Sequence, residues 1–195
     1  MIYPPVEDVY FEQPLASGAG EYFLAVSALA PYKRLDLAVE AVRRSGDPLW
    51  IVGTGPEEKR LRRNAPPSVR FLGWQPSEKM PEIYRNARAL LFPGIEDLGI
   101  APLECQAMGR PVVGYRAGGL VETVVPLSES GGELPTGVLF RPQTIEGVVA
   151  GLDSFKARER EFDPLELRRH ASRFRRDRFL TEFRAFASGG APGPC

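Results

Sequence analysis

The sequence predicts an α/β fold: one parallel sheet with helices packed on both faces, ending in a helical stretch. Three observations carry that expectation. From Glu21 onward, short apolar runs alternate with segments of helical spacing, the pattern of successive βαβ units. No repeat at a solenoid period runs along the chain, which leaves a single sheet as the simplest arrangement. From Asp163 the alternation stops and only helical spacing remains.

The elements follow in chain order. Residues 1–20 carry three prolines, end in Ser17-Gly18-Ala19-Gly20, and read as an extended interdomain-type linker outside the packed unit. Strands are expected at Tyr22–Ser27, Leu49–Val52, Val69–Leu72, Ala89–Phe92, Val112–Tyr115 and Val138–Phe140. The first helix shows Leu35, Ala38, Val39 and Val42 at i, i+3, i+4 and i+7, and Gly46 closes it. Further helices are expected near 57–64, 79–87, 100–108, 119–125 and 144–154. The packed domain is thus 21–187, and residues 188–195 read as a disordered tail. Between Lys156 and Arg184 there are 10 Lys and Arg against 6 Asp and Glu, interleaved with Phe174, Phe179 and Phe183. Two readings stand for that stretch: a solvated helix face whose aromatic stripe packs on the domain, or a surface for anionic lipid or a partner domain.

Composition narrows the function classes. The chain has 195 residues, 43% of them hydrophobic, enough for one domain with a real core. Lys and Arg number 25 and so do Asp and Glu, and a net charge of zero argues against a nucleic-acid binder. Two cysteines, Cys105 and Cys195, and one histidine, His170, supply neither a disulfide framework nor a His- or Cys-based metal site. The N-terminus lacks the pattern of a signal peptide, and no apolar run reaches the roughly 18 residues that span a bilayer. The expected location is the cytoplasm, with a peripheral membrane role left open.

In an open parallel sheet, ligands bind at the carboxyl ends of the strands, where loops lead into helix N-termini. Three such loops stand out. After the first strand, Ala28-Leu29-Ala30-Pro31-Tyr32-Lys33-Arg34 places two cations at a helix start, either a phosphate site or an ordinary basic helix opening. After the second comes Gly53-Thr54-Gly55-Pro56. Glu58 stands where a dinucleotide fingerprint has its third glycine, so the loop suits close backbone approach to a ligand better than an NAD site. After the fourth, Glu96 and Glu104 lie eight positions apart, with Gly99 just ahead of a helix whose first turn accepts Pro102. Amides of Gly99, Ile100 and Ala101 would face an anion there, and Glu104 could accept from a vicinal diol such as a ribose. The bland counterpart is a pair of glutamates favoured by the helix dipole. Cys105 beside Glu104 is expected in the core, and His170 at the surface or in packing.

Glu96 through Glu104 resembles the Glu-x7-Glu motif of the retaining family 4, or group 1, glycosyltransferases of the GT-B fold. Other segments extend the resemblance: Ile2-Tyr3-Pro4-Pro5-Val6, Val26 through Asp36, Ile51 through Pro56, Val69 through Gly73, and Gly109 through Val113 with Gly118-Gly119. The resemblance implies a Rossmann-like donor domain for a nucleoside diphosphate sugar, and no metal or other cofactor. By resemblance, Lys33 is the diphosphate lysine, Glu104 the ribose glutamate and Glu96 the glutamate facing the donor sugar. Gly99 and Ile100 meet the diphosphate or sugar, Gly53 and Gly55 form a donor-side loop, and Phe71 and Leu72 lie where a strand end contacts the base.

Ala28 replaces an arginine of many members, leaving Arg34 to supply the second cation or phosphate binding weaker. The Pro-Tyr-Lys-Arg and Gly-Ile-Ala-Pro-Leu-Glu segments resemble the mannosyltransferase branch, which implies GDP-mannose. Family members carry a preceding acceptor-binding domain, which these 195 residues lack. The expected function is donor binding for sugar transfer to an acceptor hydroxyl, with Lys33, Arg34 and Glu96 at the chemistry. The alternatives are a nucleotide-sugar binding module without transfer, or another enzyme of the same fold such as a sugar epimerase.

Overall fold

The computed structural model describes residues 2–15, 18–128 and 134–188. Strands β1 (Tyr22–Val26), β2 (Leu49–Val52), β3 (Val69–Gly73), β4 (Ala87–Phe92), β5 (Val112–Tyr115) and β6 (Gly137–Phe140) form one sheet in the order β3-β2-β1-β4-β5-β6. Every neighbouring pair is parallel. The expected Rossmann-like sheet is therefore present, and its strands lie within two residues of their expected bounds.

Alternation along β1 divides the core in two. Phe23 and Ala25 point to one face, where they meet α2 (Leu35–Ser45) and α7 (Ile145–Ala157). Tyr22 and Leu24 point to the other, toward α4 (Met80–Asn86) and α5 (Ile100–Ala107). Period-2 exposure of a strand buried on both faces produces this layering. Helix α2 follows the i, i+3, i+4, i+7 stripe and ends at Gly46, whose N–H donates to the Val42 carbonyl at 2.8 Å. Helix α7 begins at Thr144, whose hydroxyl accepts from the Gly147 N–H, and α8 (Pro164–Ala171) begins at Asp163 in the same manner. Helices α3 (Glu58–Asn64), α6 (Leu120–Thr123) and α9 (Arg176–Ala187) lie between or after these elements.

Two expectations are corrected. The N-terminal segment is packed against the domain and not extended away from it. A short helix, α1 (Val9–Glu12), forms there, and Val6 and Tyr10 are buried in the second core. The Val6 N–H donates to the Phe174 carbonyl at 2.9 Å, and Arg168 of α8 donates to the Gln13 carbonyl at 2.8 Å. The cause is an apolar pair four residues apart, Val6 and Tyr10, in a segment otherwise marked by proline and glycine. The C-terminal aromatic stripe also splits. Leu167 and Phe174 pack inside, whereas Phe183 and Phe186 of α9 are exposed. Ser188 caps α9, and residues 189–195 of the expected tail lie outside the described residues.

Candidate donor site

The strand order reverses between β1 and β4, so the loops after these two strands leave in opposite directions and open a crevice at the carboxyl edge. One wall is the loop after β1, with a 3-10 turn at Pro31–Lys33. The other is the loop after β4, which runs through Glu96 into α5. Lys33 is nearly buried at 8% exposure, its ammonium is ion-paired with the Glu96 carboxylate, and burial lowers its pKa. The lysine also lies over the Tyr32 ring, 4.8 Å from its centre. A cavity of 540 Å³ opens here, lined by Lys33, Glu96, Gly99, Ile100 and Ala101 among others. The first-turn amides of a helix have no intrahelical partner, so α5 brings positive potential to that cavity.

Arg34 does not join this group. It caps the 3-10 turn and opens α2 at φ 52°, a left-handed backbone unusual for a side chain with a Cβ. Its guanidinium is held by the Asp36 carboxylate at 3.1 and 3.2 Å. The cation expected beside Lys33 is thus turned toward its own helix, and it does not line the cavity.

Further along α5, Glu104 lines a second cavity of 560 Å³ with Glu7, Tyr10, Ser27, Gly53 and Trp74. The Tyr84 hydroxyl donates to Glu104 Oε2 at 2.7 Å, and Tyr10 lines the same cavity beside this carboxyl. Burial raises the Glu104 pKa, and the two phenols act against that rise by stabilising the ionised form. Ser27 Oγ is buried on the same rim without a hydrogen-bond partner.

The glycine loop and the strand end differ from expectation. Gly53 has φ +123°, and a Cβ there would lie 2.0 Å from the Ser27 carbonyl oxygen; one at Gly55 would lie 2.6 Å from that of Leu29. The close approach is to the neighbouring loop backbone, and of the two glycines only Gly53 lines the second cavity. Phe71 packs on the first core beneath the Arg62 guanidinium, and Leu72 packs on the second. Neither faces the cavity. Trp74, 72% exposed, and Gln75 take that place. The sequence signal for it is a large aromatic directly after the glycine that ends β3.

Cys105 is fully buried, with its thiol pushed up to about 12 by burial, so it is a core residue as expected. His170 lies on α8, with Nε2 3.1 Å from the Thr123 carbonyl oxygen, and lines neither cavity. Among the described residues, no helix is long and apolar enough to cross a membrane.

The profile of the family described as "Glycosyl transferases group 1" matches residues 6–177. The chain belongs to this family. A GDP-mannose-dependent alpha-mannosyltransferase of Corynebacterium glutamicum is 34% identical over 109 residues, which cover 55% of this chain and 26% of that protein. The apo lipopolysaccharide outer core galactosyltransferase WaaB superposes with a TM-score of 0.78 at 20% identity, covering 97% of this chain and 55% of WaaB. HepE of Anabaena, in complex with UDP and glucose, gives a TM-score of 0.68 at 20% identity, covering 87% of this chain and 48% of HepE. These solved structures share the fold. The chain spans about a quarter of the curated relative and about half of each solved one.

Proposed function

We propose that this chain is the donor-binding half of a retaining glycosyltransferase, taking a nucleoside diphosphate sugar with GDP-mannose preferred. The observation that carries the reading is the alignment of complementary groups along α5 at the switch point of the sheet. Lys33, Glu96 and the helix terminus share one cavity, and Glu104 lines the next. Lys33 and the amides at Gly99, Ile100 and Ala101 meet the diphosphate, and Glu104 accepts from the ribose hydroxyls. Glu96 faces the donor sugar, and Gly53 borders the nucleoside. As the sugar leaves, charge grows on the diphosphate, and preorganised donors at that point lower the barrier without a metal. Arg34 has no direct role in this arrangement, given its pairing with Asp36.

The preference for GDP-mannose is supported by the name of the corynebacterial relative, and the UDP of HepE makes the uridine nucleotide its chief competitor. Transfer requires a second domain. All proposed donor groups lie on one sheet edge, and holding reacting atoms within about 3–3.5 Å needs a facing wall. Calorimetric titration with GDP-, UDP- and ADP-sugars tests the reading. Binding is expected, with Lys33→Ala lowering affinity for the diphosphate far more than for the parent nucleoside. The chain alone should transfer no sugar until an acceptor domain is supplied in trans. Absence of binding to every member of the panel would refute the proposal.

A further inference from the structure

The buried phenols around Glu104 are not used by the chemistry just described. Tyr84 is fully buried, Tyr10 is 4% exposed, and their rings meet edge to face with centres 5.8 Å apart. The two phenols come from different parts of the chain, α4 and the N-terminal segment, and meet beside one carboxylate, to which Tyr84 donates. An ionised carboxylate has about four acceptor positions. The Tyr84 phenol fills one of them, and Tyr10, packed against that ring, flanks the side chain and limits its rotamers, which leaves acceptor capacity for two further hydroxyls. A vicinal diol presents that number at matching spacing.

We propose that Tyr84 and Tyr10 are positioning residues that hold Glu104 ready for the ribose diol, so that the N-terminal segment is a working part of the nucleotide site. The inference rests on the reading of Glu104 as the diol acceptor. It explains why the cavity beside Glu104 is lined by Glu7 and Tyr10 of the N-terminal segment as well as by Gly53 and Trp74 of the strand-end loops. It also gives a role to the packing of residues 2–15: α1 carries a hydroxyl to a site otherwise built from the strand-end loops.

The test compares binding of GDP with 2′-deoxy-GDP, and of UDP with 2′-deoxy-UDP, to the full chain. The ratio of the two affinities reads diol recognition and is insensitive to a general loss of stability. Tyr84→Phe and Tyr10→Phe should each lower the ribo-over-deoxy preference severalfold, and Glu104→Gln should abolish it, a loss of about tenfold or more. Tyr22→Phe is the control. That tyrosine is equally buried, but its hydroxyl donates to the Ile83 carbonyl at 2.8 Å and does not reach Glu104, so the preference should be unchanged. If both phenylalanine variants at 84 and 10 keep the wild-type ratio while Glu104→Gln loses it, the positioning role is wrong and the diol reading survives. If Glu104→Gln keeps the ratio, or the wild type shows none, the diol reading itself falls and takes this inference with it.

Discussion

Replacing Glu96 by glutamine should tighten the binding of a nucleoside diphosphate while slowing the sugar transfer that an acceptor domain supplied in trans restores. In the structure the Glu96 carboxylate occupies Lys33, the cation proposed for the diphosphate. Lys33 is 9% and Glu96 27% exposed in their side chains, so the pair is largely shielded from water. At an effective dielectric of roughly 20, unit charges about 4 Å apart attract by about 4 kcal/mol. Desolvation of both groups offsets most of that attraction, leaving a net of about 1–2 kcal/mol. A diphosphate that takes Lys33 must overcome this net term. Glutamine removes it, so affinity for GDP should rise by about tenfold, since about 1.4 kcal/mol corresponds to that factor. GDP-mannose should gain less, because the variant also loses a charged acceptor for the sugar. Calorimetry with both ligands at two ionic strengths separates the effects, the gain for GDP being smaller at high salt. Unchanged or weaker GDP binding in Glu96→Gln would refute the reasoning, because it would mean that the carboxylate does not compete with phosphate.

Three further outcomes follow from the same geometry. Gly53→Ala forces a Cβ to 2.0 Å from a backbone oxygen at φ +123°, and should cost about 3 kcal/mol or more in urea unfolding; a loss below about 1 kcal/mol would contradict the packing. Glu104→Gln should raise the melting temperature at neutral pH although it weakens nucleotide binding. Burial raises the folded pKa of Glu104, so the group's favourable contribution is complete below the ordinary carboxylate value and is lost as pH rises through the folded one. The stability gain of the variant should therefore shrink on acidification, and a gain independent of pH would count against this origin. In a Cys195→Ser background, Cys105 should resist a thiol reagent in the native state and react in denaturant, as its burial and raised pKa require; rapid native labelling would contradict both.

The sheet was legible because its two periodicities are strong. Apolar runs such as Leu49–Val52 and the stripe on α2 have one economical reading each, and the order of loops along the chain then locates the carboxyl edge. The gathering of Lys33, Glu96 and the Gly99 helix start followed from that topology. What escaped was set by tertiary partners. Arg34 adopts a left-handed backbone and turns to Asp36, and no local pattern marks such a conformation at an arginine. Tyr84 and Tyr10 reach Glu104 from separate segments, a convergence invisible to any local window. The proline content of residues 1–20 concealed an apolar anchor at Val6 and Tyr10, since composition averages over the few positions that matter.

The β1–β4 seam carries a kinetic consequence. β2 and β3 join β1 through short crossovers, and β5 and β6 extend β4 in the same way, so each half can grow by pairing with its sequence neighbours. Joining the halves requires Phe23 to find Ala89 across all the intervening chain, the pairing with the largest loop-closure cost in the sheet. During synthesis the first three strands emerge well before β4 can meet β1, and the half-sheet waits with an open edge. The crevice that holds Lys33 and Glu96 lies on that seam, and it comes into being only when the two halves close. Substitutions that weaken the Phe23–Ala89 contact should accordingly slow refolding, even where they lie far from any ligand.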